Sequence, residues 1–328
     1  MQCVLWGGAA LPYAEGLAQA LETSWSIAPV AANAEARTVA EAFGAATALI
    51  TTHLDASLPS APRLRLVQVP AAGYDGIALA ALPKGVTLCN CFEHEPAVAE
   101  YAMLAMLEWC VRLGDADRAV RAGDWTRAAR FGAAPNAELH GRTVAIVGLG
   151  RIGRAVARRA KAFGMRVLAA NRTVRAGNAE VDELRGLESL AATLADADFV
   201  IVACALTPET TGLIGKAALA AMKPSAVIIN VARGAVIDEE ALWDALVKKR
   251  IGGAVIDTWW RYPTAARTDY ADWLHRWDRL DNVILSPHLA GWSHGTAARR
   301  TIAMARNLDR LQRSQPLENV VAIGGERA

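Results

Sequence analysis

Residues Thr143–Gly153 read TVAIVGLGRIG, and this stretch decides the fold class of the chain. The apolar, β-branched run Thr143–Val147 predicts a buried strand, and Ile152–Phe163 has the apolar spacing of a helix. The glycine-rich turn Gly148–Gly153 joins the two without a linker. A strand that runs straight into a helix is half of a βαβ unit, so the stretch predicts a parallel sheet covered by helices.

The same alternation continues on both sides of this turn. Helix-like segments such as Ala34–Phe43 and Glu239–Lys248 separate the strand-like ones. Glu95–Leu113 is the longest helical pattern, and because it is apolar on several faces we expect it to be buried or to pack against another chain. The polar segment Gly114–Glu138 reads as an arm or connecting loop. The predicted strands are Cys3–Trp6, Ala48–Thr51, Leu66–Val69, Thr87–Cys89, Thr143–Val147, Val167–Ala170, Phe199–Cys204, Val227–Val231, Ala254–Thr258 and Val283–Ser286.

Composition narrows the function classes. The chain has 328 residues, enough for two domains, and 53% are hydrophobic, which excludes a disordered protein. The formal net charge of +2 gives no support for nucleic acid or a membrane surface as a partner. No apolar run reaches the roughly 18 residues of a membrane span, and no targeting signal is visible. The 5 cysteines form no CxxC pair and the histidines show no metal spacing, so we expect reduced thiols, a cytoplasmic protein and no metal.

The turn itself is a GxGxxG motif made by Gly148, Gly150 and Gly153, and Arg151 and Ile152 open the helix that follows. The first glycine permits a tight turn, the second lets a pyrophosphate approach the backbone, and the third lets helix and strand pack closely. The helix N-terminus then offers free N–H groups and a partial positive charge to the phosphates. This context predicts a dinucleotide site rather than an ordinary strand–helix turn.

The end of the next strand indicates which dinucleotide binds. An NAD site usually has an acidic residue about 20 residues after the first glycine, where it bonds the ribose 2′-hydroxyl. Here the strand runs into Asn171, Arg172 and Thr173, which contain no carboxylate. A guanidinium binds phosphate in a bidentate manner, so we expect NADP, with NAD as the alternative.

Three later segments end predicted strands with polar residues: Arg233 in NVARGAVID, Asp257 in GAVIDTWW and His288 in SPHLAG. Ligands of open α/β sheets bind outside the carboxyl ends of the strands, so these three side chains should converge. A histidine that shares a cleft with an arginine and a dinucleotide is a candidate acid or base.

At this point the sequence resembles the D-isomer-specific 2-hydroxyacid dehydrogenase family over nearly its whole length. The resemblance implies an α/β fold of two Rossmann-like, doubly wound parallel-sheet domains. The flavodoxin-like substrate domain would be discontinuous, 1–96 and 290–328, and the dinucleotide-binding domain would span 97–289. A homodimer built on the interdomain helix and the adjoining arm is also implied. The motifs are VGLGRIG (Val147–Gly153), ALTPETTGLIG (Ala205–Gly215), NVARGAVIDEEAL (Asn230–Leu242), SPHLAG (Ser286–Gly291) and the helix VAEYAM (Val98–Met103).

The resemblance also implies roles for these residues. Arg233 would hold the substrate carboxylate and polarise its 2-oxo group, and His288 would protonate that oxygen while C4 of the nicotinamide delivers hydride. Asp257 would bond the nicotinamide carboxamide, and Val231 and Ala232 would line its ring. Further candidates are Ala290 and Gly291 at the cofactor, the backbone of Ala72 and Gly73 at the substrate carboxylate, and His94 beside the substrate, which is equally well explained as a surface histidine.

Tyr262 is a departure from the family pattern. It stands where relatives usually have a glutamate paired with the histidine, five residues after Asp257. A carboxylate there would raise the pKa of the histidine, whereas a phenol brings no negative charge at neutral pH. Activity could have been lost, the substrate could have changed, or another acid could have been recruited; the candidates for that acid are Glu93, Glu95, Asp269 and Asp272.

Three functions remain open from the sequence. The first is an NADP-linked, D-stereospecific reductase of a small 2-oxo acid such as glyoxylate, hydroxypyruvate or a phenylpyruvate-like acid. The second is oxidation of a small anion such as formate or phosphite, because formate-oxidising relatives also lack the glutamate. The third is a non-catalytic dinucleotide sensor. The presence of Arg233 and His288 favours an enzyme, and Tyr262 is the argument for a sensor.

Overall fold

The computed structural model describes residues 1–174, 179–263 and 275–325. Their contacts divide the chain into two compact units. The terminal unit contains Met1–His94 and Trp292–Ala328, and the central unit contains Glu95–Gly291. Both ends of the chain therefore belong to one unit.

Strands and helices alternate through most of the described chain. The strands are β1 (Gln2–Trp6), β2 (Ser26–Val30), β3 (Ala48–Ile50), β4 (Leu66–Gln68), β5 (Thr87–Cys89), β6 (Thr143–Val147), β7 (Arg166–Asn171), β8 (Glu183–Gly186), β9 (Phe199–Val202), β10 (Val227–Asn230), β11 (Gly253–Ile256), β12 (Val283–Leu285) and β13 (Val320–Ile323). The α-helices are α1 (Ala14–Ala20), α2 (Ala36–Ala45), α3 (Glu95–Val111), α4 (Leu113–Arg121), α5 (Arg151–Ala162), α6 (Leu190–Ala195), α7 (Lys216–Ala221), α8 (Glu239–Val247) and α9 (His294–Gln312).

The central unit is built on a seven-stranded parallel sheet of order β12-β11-β10-β9-β6-β7-β8. Counted from β6 this is the Rossmann order, and the strand order reverses between β6 and β9. Every residue of β6 is buried. Val144 and Ile146 pack into one hydrophobic cluster, and Ala145 and Val147 pack into a second one. Because neighbouring side chains of a strand point to opposite faces, both faces of the sheet are covered.

The terminal unit has a six-stranded sheet of order β13-β5-β4-β3-β1-β2. Strands β1 to β5 are parallel to one another and follow the flavodoxin-like order, whereas β13 pairs with β5 in the antiparallel direction. The predicted fold class of two Rossmann-like parallel-sheet domains, one of them discontinuous, is confirmed, with β13 as the antiparallel exception.

Several local predictions were wrong. The long apolar helix ends at Val111, because Arg112 adopts a left-handed conformation with φ 53°. The segment predicted to be an arm begins as α4, which has no buried residue. Three strands were missed, and all of them lie at sheet edges. Apolar alternation is weak in two of them, because β2 contains Pro29 and β8 is mostly polar. The third, β13, is a short tail strand.

Within the described residues, no helix combines the length and the apolar character that crossing a membrane requires.

Candidate active site

The turn Gly148–Gly153 lies where the strand order of the central sheet reverses. Gly148 has φ +99°, and a Cβ there would lie 2.6 Å from backbone atoms of Cys204, which follows β9. A Cβ on Gly153 would collide with the carbonyl oxygen of Gly148. Around Gly150, however, no heavy atom of the described chain comes within 4 Å of an added Cβ. A forced turn, an open approach and a close helix contact are the three features that a pyrophosphate loop requires.

The helix that follows the turn fits an anionic ligand as well. Gly150 is the N-cap of α5, and no side chain among the described residues caps it. The first N–H groups of a helix have no partners within the helix, and they carry the positive end of its dipole. These N–H groups, including those of Arg151, Ile152 and Gly153, are therefore suited to a phosphate. The guanidinium of Arg151 lies 4.0 Å from Glu95 Oε1.

The end of β7 is tied to the glycine turn. Asn171 Oδ1 accepts the N–H of Leu149 at 3.2 Å, and Asn171 Nδ2 donates to the carbonyl of Thr173 at 3.0 Å. Asn171 therefore has a structural function that the sequence analysis missed. Arg172 and Thr173 are exposed. Hydrogen bonding to the Thr207 side chain lowers the pKa of Glu209, and the charge of Arg172 lowers it further, so the two charged side chains lie near each other.

The end of β10 is shaped by Asn230, which is buried. Its Oδ1 accepts the N–H of Ala232 at 3.0 Å, and its Nδ2 donates to the carbonyl of Arg233 at 3.0 Å. The Arg233 guanidinium in turn donates to the Ala232 carbonyl at 2.8 Å. Val231 and Ala232 are both buried. Asn230 thus fixes the turn that carries Arg233, and the signal that could have identified it is an asparagine at the end of a strand, where such side chains bond the backbone two residues on.

Asp257 follows β11 and holds the turn that carries His288. Its Oδ1 accepts from Ser286 Oγ at 2.6 Å and from the N–H of Leu289 at 2.9 Å, and its Oδ2 accepts the N–H of Ala290 at 3.0 Å. His288 has φ 58°, a left-handed conformation that costs a non-glycine residue about 1–2 kcal/mol. The buried carboxylate bonds both N–H groups that follow His288, so it stabilises this strained backbone. Gly291 comes next and is partly buried.

A further hydrogen bond supports Ser286, which itself bonds Asp257. Tyr101 on α3 is 2.6 Å from Ser286 Oγ. Because Ser286 donates to the carboxylate of Asp257, its oxygen is free to accept from Tyr101, and the three side chains form a directed chain of hydrogen bonds. Burial raises the pKa of Tyr101 to about 12, so its hydroxyl stays protonated. Neither Tyr101 nor Ser286 was predicted, and no spacing rule would have revealed this contact.

His288 contacts Tyr262 directly, with Oη 2.8 Å from Nδ1. The backbone N–H of Trp259 donates to the same Oη at 3.1 Å. The surrounding protein atoms lower the pKa of His288 from its ordinary value, the positive charge of Arg233 lowers it further, and the negative charge of Asp257 acts in the opposite direction. His288 is also exposed to solvent, which weakens these effects through screening.

The remaining candidates lie in the terminal unit or outside the described residues. The carbonyl of Ala72 accepts a bond from Asn90 Nδ2 at 2.8 Å, and Gly73 follows it in the loop after β4. His94 is half-buried and follows Glu93, which has φ 72° and whose carbonyl accepts from Arg299 at 2.9 Å. Asp269 and Asp272 fall outside the described residues. Within the described ranges, no cluster of three or more His, Cys, Asp or Glu side chains could hold a metal ion.

Comparison with known proteins identifies the family. A model of the D-isomer-specific 2-hydroxyacid dehydrogenase NAD-binding domain matches residues 103–290. Glyoxylate reductase of Korarchaeum cryptofilum is 36% identical over 287 residues, which cover 84% of this chain and 82% of the relative. Glyoxylate/hydroxypyruvate reductase B of Pectobacterium carotovorum is 36% identical, with 80% and 81% covered.

Solved structures agree with this result. The NADPH-dependent glyoxylate/hydroxypyruvate reductase of Sinorhizobium meliloti, in complex with citrate, superposes with a TM-score of 0.79 at 27% identity, covering 100% of this chain and 99% of that one. A D-isomer-specific 2-hydroxyacid dehydrogenase family protein of Aeromonas salmonicida gives a TM-score of 0.80 at 25% identity, with 98% of each chain covered. The chain therefore belongs to the D-isomer-specific 2-hydroxyacid dehydrogenase family and is a nicotinamide-dependent 2-hydroxyacid oxidoreductase.

Proposed function

We propose that the protein is an NADPH-dependent, D-stereospecific reductase of a small 2-oxo acid such as glyoxylate, hydroxypyruvate or a phenylpyruvate-like acid. The observation that carries the proposal is the arrangement at the carboxyl ends of β10, β11 and β12. Arg233, Asp257 and His288 follow these neighbouring strands, and the charges of the first two act on the third. The same sheet carries the glycine turn at its switch point, where dinucleotides bind in this fold.

The chain supplies positioning and proton transfer in this reaction. The bound nicotinamide supplies a hydride equivalent from its C4 position. Arg233 holds the substrate carboxylate and polarises the 2-oxo group. As the new C–H bond forms at C2, the electron pair of the C=O π bond moves to oxygen, and protonated His288 transfers its Nε2 proton there. In the oxidation direction, Nε2 takes that proton back, which requires the neutral tautomer of His288 that carries its proton on Nδ1.

The other predicted residues form the supporting parts of the proposed site. Val231, Ala232, Asp257, Ala290 and Gly291 lie along the turns on which the nicotinamide would rest. In the terminal unit, we assign the substrate carboxylate to the backbone of Ala72 and Gly73, and His94 to the side of the substrate. On this basis residues 1–96 and 290–328 form the substrate domain and 97–289 the dinucleotide domain.

The preference for NADPH rests on the residues after β7. Asn171 is engaged with the glycine turn, which leaves Arg172 and Thr173 to meet a 2′-phosphate. The name of the Sinorhizobium relative, an NADPH-dependent reductase, supports the same choice. The Arg172→Ala variant should weaken NADPH binding by about 1.5–3 kcal/mol and leave NADH binding unchanged, because a guanidinium–phosphate pair is charge-assisted. If NADH binds as tightly as NADPH to the unchanged protein in a fluorescence titration, the preference is wrong.

We also propose a cytoplasmic homodimer. All 5 cysteines are free thiols, as expected in a reducing compartment. On α3, Leu104 is the one large apolar side chain that is exposed, so the dimer surface extends mainly over α4 and the segment after it. That surface exposes Leu113, Val120, Trp125 and Phe131, an apolar set typical of a covered face. A monomeric mass by light scattering at micromolar concentration would exclude the dimer.

The deciding experiment follows NADPH and NADH oxidation over a panel of 2-oxo acids. The proposal predicts turnover of at least one of them with NADPH, and a D-configured product on chiral analysis. The panel has a second arm in which formate and phosphite are offered with NADP and NAD. Turnover in that arm alone would replace the proposal with small-anion oxidation. Tight cofactor binding without turnover of any compound would replace it with a non-catalytic sensor.

A further inference from the structure

The imidazole of His288 has an unusual partner at Nδ1. Tyr262 Oη lies 2.8 Å away, and the same oxygen receives the backbone N–H of Trp259 at 3.1 Å. A backbone N–H can only donate, so the Trp259 contact uses a lone pair of the phenol oxygen. The phenol hydrogen remains able to donate, and Nδ1 lies within its reach.

The phenol oxygen is held in a defined place although Tyr262 is itself exposed. Trp259 is buried, and its indole Nε1 donates to the carbonyl of Ser286 at 2.8 Å. The backbone of Trp259 also packs against Gly234 so closely that a Cβ on Gly234 would collide with it. The Trp259 N–H that anchors Oη is therefore fixed by the turn beside Arg233 and by the strand end before His288.

The charges that act on His288 within the central unit come from two sides. Arg233, after β10, disfavours the imidazolium, and Asp257, after β11, favours it. Asp257 already accepts three bonds, from Ser286, Leu289 and Ala290. On the remaining side, Tyr262 is uncharged at neutral pH. Among the described residues of this set, none offers Nδ1 a carboxylate, and the pKa of His288 lies below its ordinary value. Above its titration the ring is neutral, and the question becomes which nitrogen carries its proton.

We propose that Tyr262 is a positioning residue that fixes neutral His288 as the tautomer with its proton on Nε2, by donating its hydroxyl to Nδ1. A glutamate at this position could only accept, and it would require the proton on Nδ1. Neutral His288 would then present a bare nitrogen to the substrate. With the phenol, neutral His288 presents an N–H. This inference rests on the proposed function, in which Nε2 faces the substrate oxygen.

The tautomer separates substrate binding from proton transfer. Neutral His288 with a proton on Nε2 can donate a hydrogen bond to a 2-oxo group, so binding of a 2-oxo acid does not need the imidazolium. The chemical step still needs it, because a neutral imidazole that lost its Nε2 proton would become an anion. When His288 is protonated, Nδ1–H must donate, and the phenol has to turn its own hydrogen away.

The first experiment reads the tautomer without turnover. The full-length protein is labelled with ¹⁵N-histidine, and two-bond ¹H–¹⁵N correlation spectra are recorded above the titration of His288, whose signals are those lost in His288→Asn. We expect an unprotonated Nδ1 and a protonated Nε2. Tyr262→Phe should give a mixture of tautomers, and Tyr262→Glu should move the proton to Nδ1. Tyr13→Phe is the matched control, because it removes the hydroxyl of a tyrosine in the terminal unit whose side chain bonds Arg300, and its spectrum should match that of the unchanged protein.

A proton on Nδ1 in the unchanged protein, or an unchanged tautomer in Tyr262→Phe, would overturn the inference.

The second experiment measures oxamate binding to the NADPH-loaded enzyme from pH 6 to 9, since oxamate combines a carboxylate with a neighbouring carbonyl oxygen. The dissociation constant should stay within about twofold in the unchanged protein. In Tyr262→Glu it should rise about tenfold per pH unit above the imidazolium pKa, because only the protonated fraction binds. A tenfold rise per unit in the unchanged protein would contradict the inference. Absence of oxamate binding would instead count against the proposed substrate class, since the NMR result does not depend on it.

Discussion

The glycine turn after β6 and the corner formed by Asp257, Tyr262 and His288 both lie at the carboxyl ends of the central strands. They differ in the kind of contact that holds their shape. In the turn, close backbone contacts set most of the shape, since Gly148 lies against Cys204 and Gly153 against Gly148, and the side chain of Asn171 adds one bond to the N–H of Leu149. In the corner, side-chain hydrogen bonds fix it, through the carboxylate and the phenol that hold the His288 loop. A backbone-built site accepts few residues at each position. A side-chain network can exchange a carboxylate for a phenol and keep its geometry while its chemistry changes.

The largest effect should follow from removing the acid of the corner. His288→Ala should lower kcat for reduction about 100–10,000-fold, the usual contribution of a general acid, and should flatten the pH dependence of the rate. NADPH affinity should not change, because the glycine turn is built independently. Steady-state kinetics and a fluorescence titration measure the two effects. His53→Ala, an exposed histidine of the terminal unit, is the control. Loss of NADPH binding in His288→Ala would show that the two regions are coupled.

The second prediction concerns the turn. Gly148→Ala should lower the free energy of unfolding by about 2–4 kcal/mol, since it adds a collision with the Cys204 backbone to the strain of φ +99°. Gly150→Ala is the matched control, because space is open there, and it should leave the melting temperature unchanged. Both variants should weaken NADPH binding. Equal melting temperatures for the two variants would contradict the backbone argument.

The third prediction tests how strongly the corner depends on its carboxylate. Asp257→Asn keeps one acceptor oxygen but turns an NH₂ group toward a buried donor, so it should lower the free energy of unfolding by about 1.5–3 kcal/mol. Asp238→Asn is the control. Asp238 caps α8 by accepting the N–H of Ala241 at 2.9 Å, and asparagine caps a helix equally well. Chemical denaturation compares the two. If Asp257→Asn were as stable as Asp238→Asn, the network would not hold the His288 loop.

The fourth prediction is a shift in pH. Desolvation of the imidazole and the positive charge of Arg233 lower the pKa of His288 below its ordinary 6.5. The acid form is therefore lost, and the reduction rate falls, as the pH rises through this lowered pKa. Tyr262→Glu should move this fall about one pH unit higher, which corresponds to about 1.4 kcal/mol, because a nearby carboxylate stabilises the imidazolium. Tyr262→Phe adds no charge and should not move it upward. An identical profile in Tyr262→Glu would mean that another carboxylate already acts on His288.

The same contrast explains what the sequence could predict. The limits of β6 and the steric demands at Gly148 and Gly153 could be predicted, because a buried apolar strand and a forced turn admit few residue types. The edge strands β2 and β8 were not readable, since Pro29 and the polar residues of β8 interrupt the pattern that a buried strand shows.

Within the candidate site, the positions of Arg233, Asp257 and His288 followed from the rule that ligands bind at strand ends. Their supports did not follow from it. Tyr101 reaches Ser286 across 185 positions of sequence, and neither residue type indicates such a contact. Asn171 ends β7 and also closes the glycine turn, because its Oδ1 lies 3.2 Å from the backbone nitrogen of Leu149. Only folding brings these two atoms together. Three-dimensional proximity of ordinary polar residues leaves no periodic trace in a single sequence.

The pairing of β13 with β5 has a consequence for synthesis on the ribosome. The central unit is complete once Gly291 has emerged, whereas the sheet formed by the first residues still lacks α9 and β13. Until Ile323 is made, β5 offers an unpaired edge, and the apolar face that α9 covers through Met304 and Leu308 stays open to water. The amino-terminal part of the chain is therefore synthesised first but completes its fold last. A nascent chain that stalls after Gly291 would contain a folded central unit and an incomplete terminal sheet that is prone to aggregate.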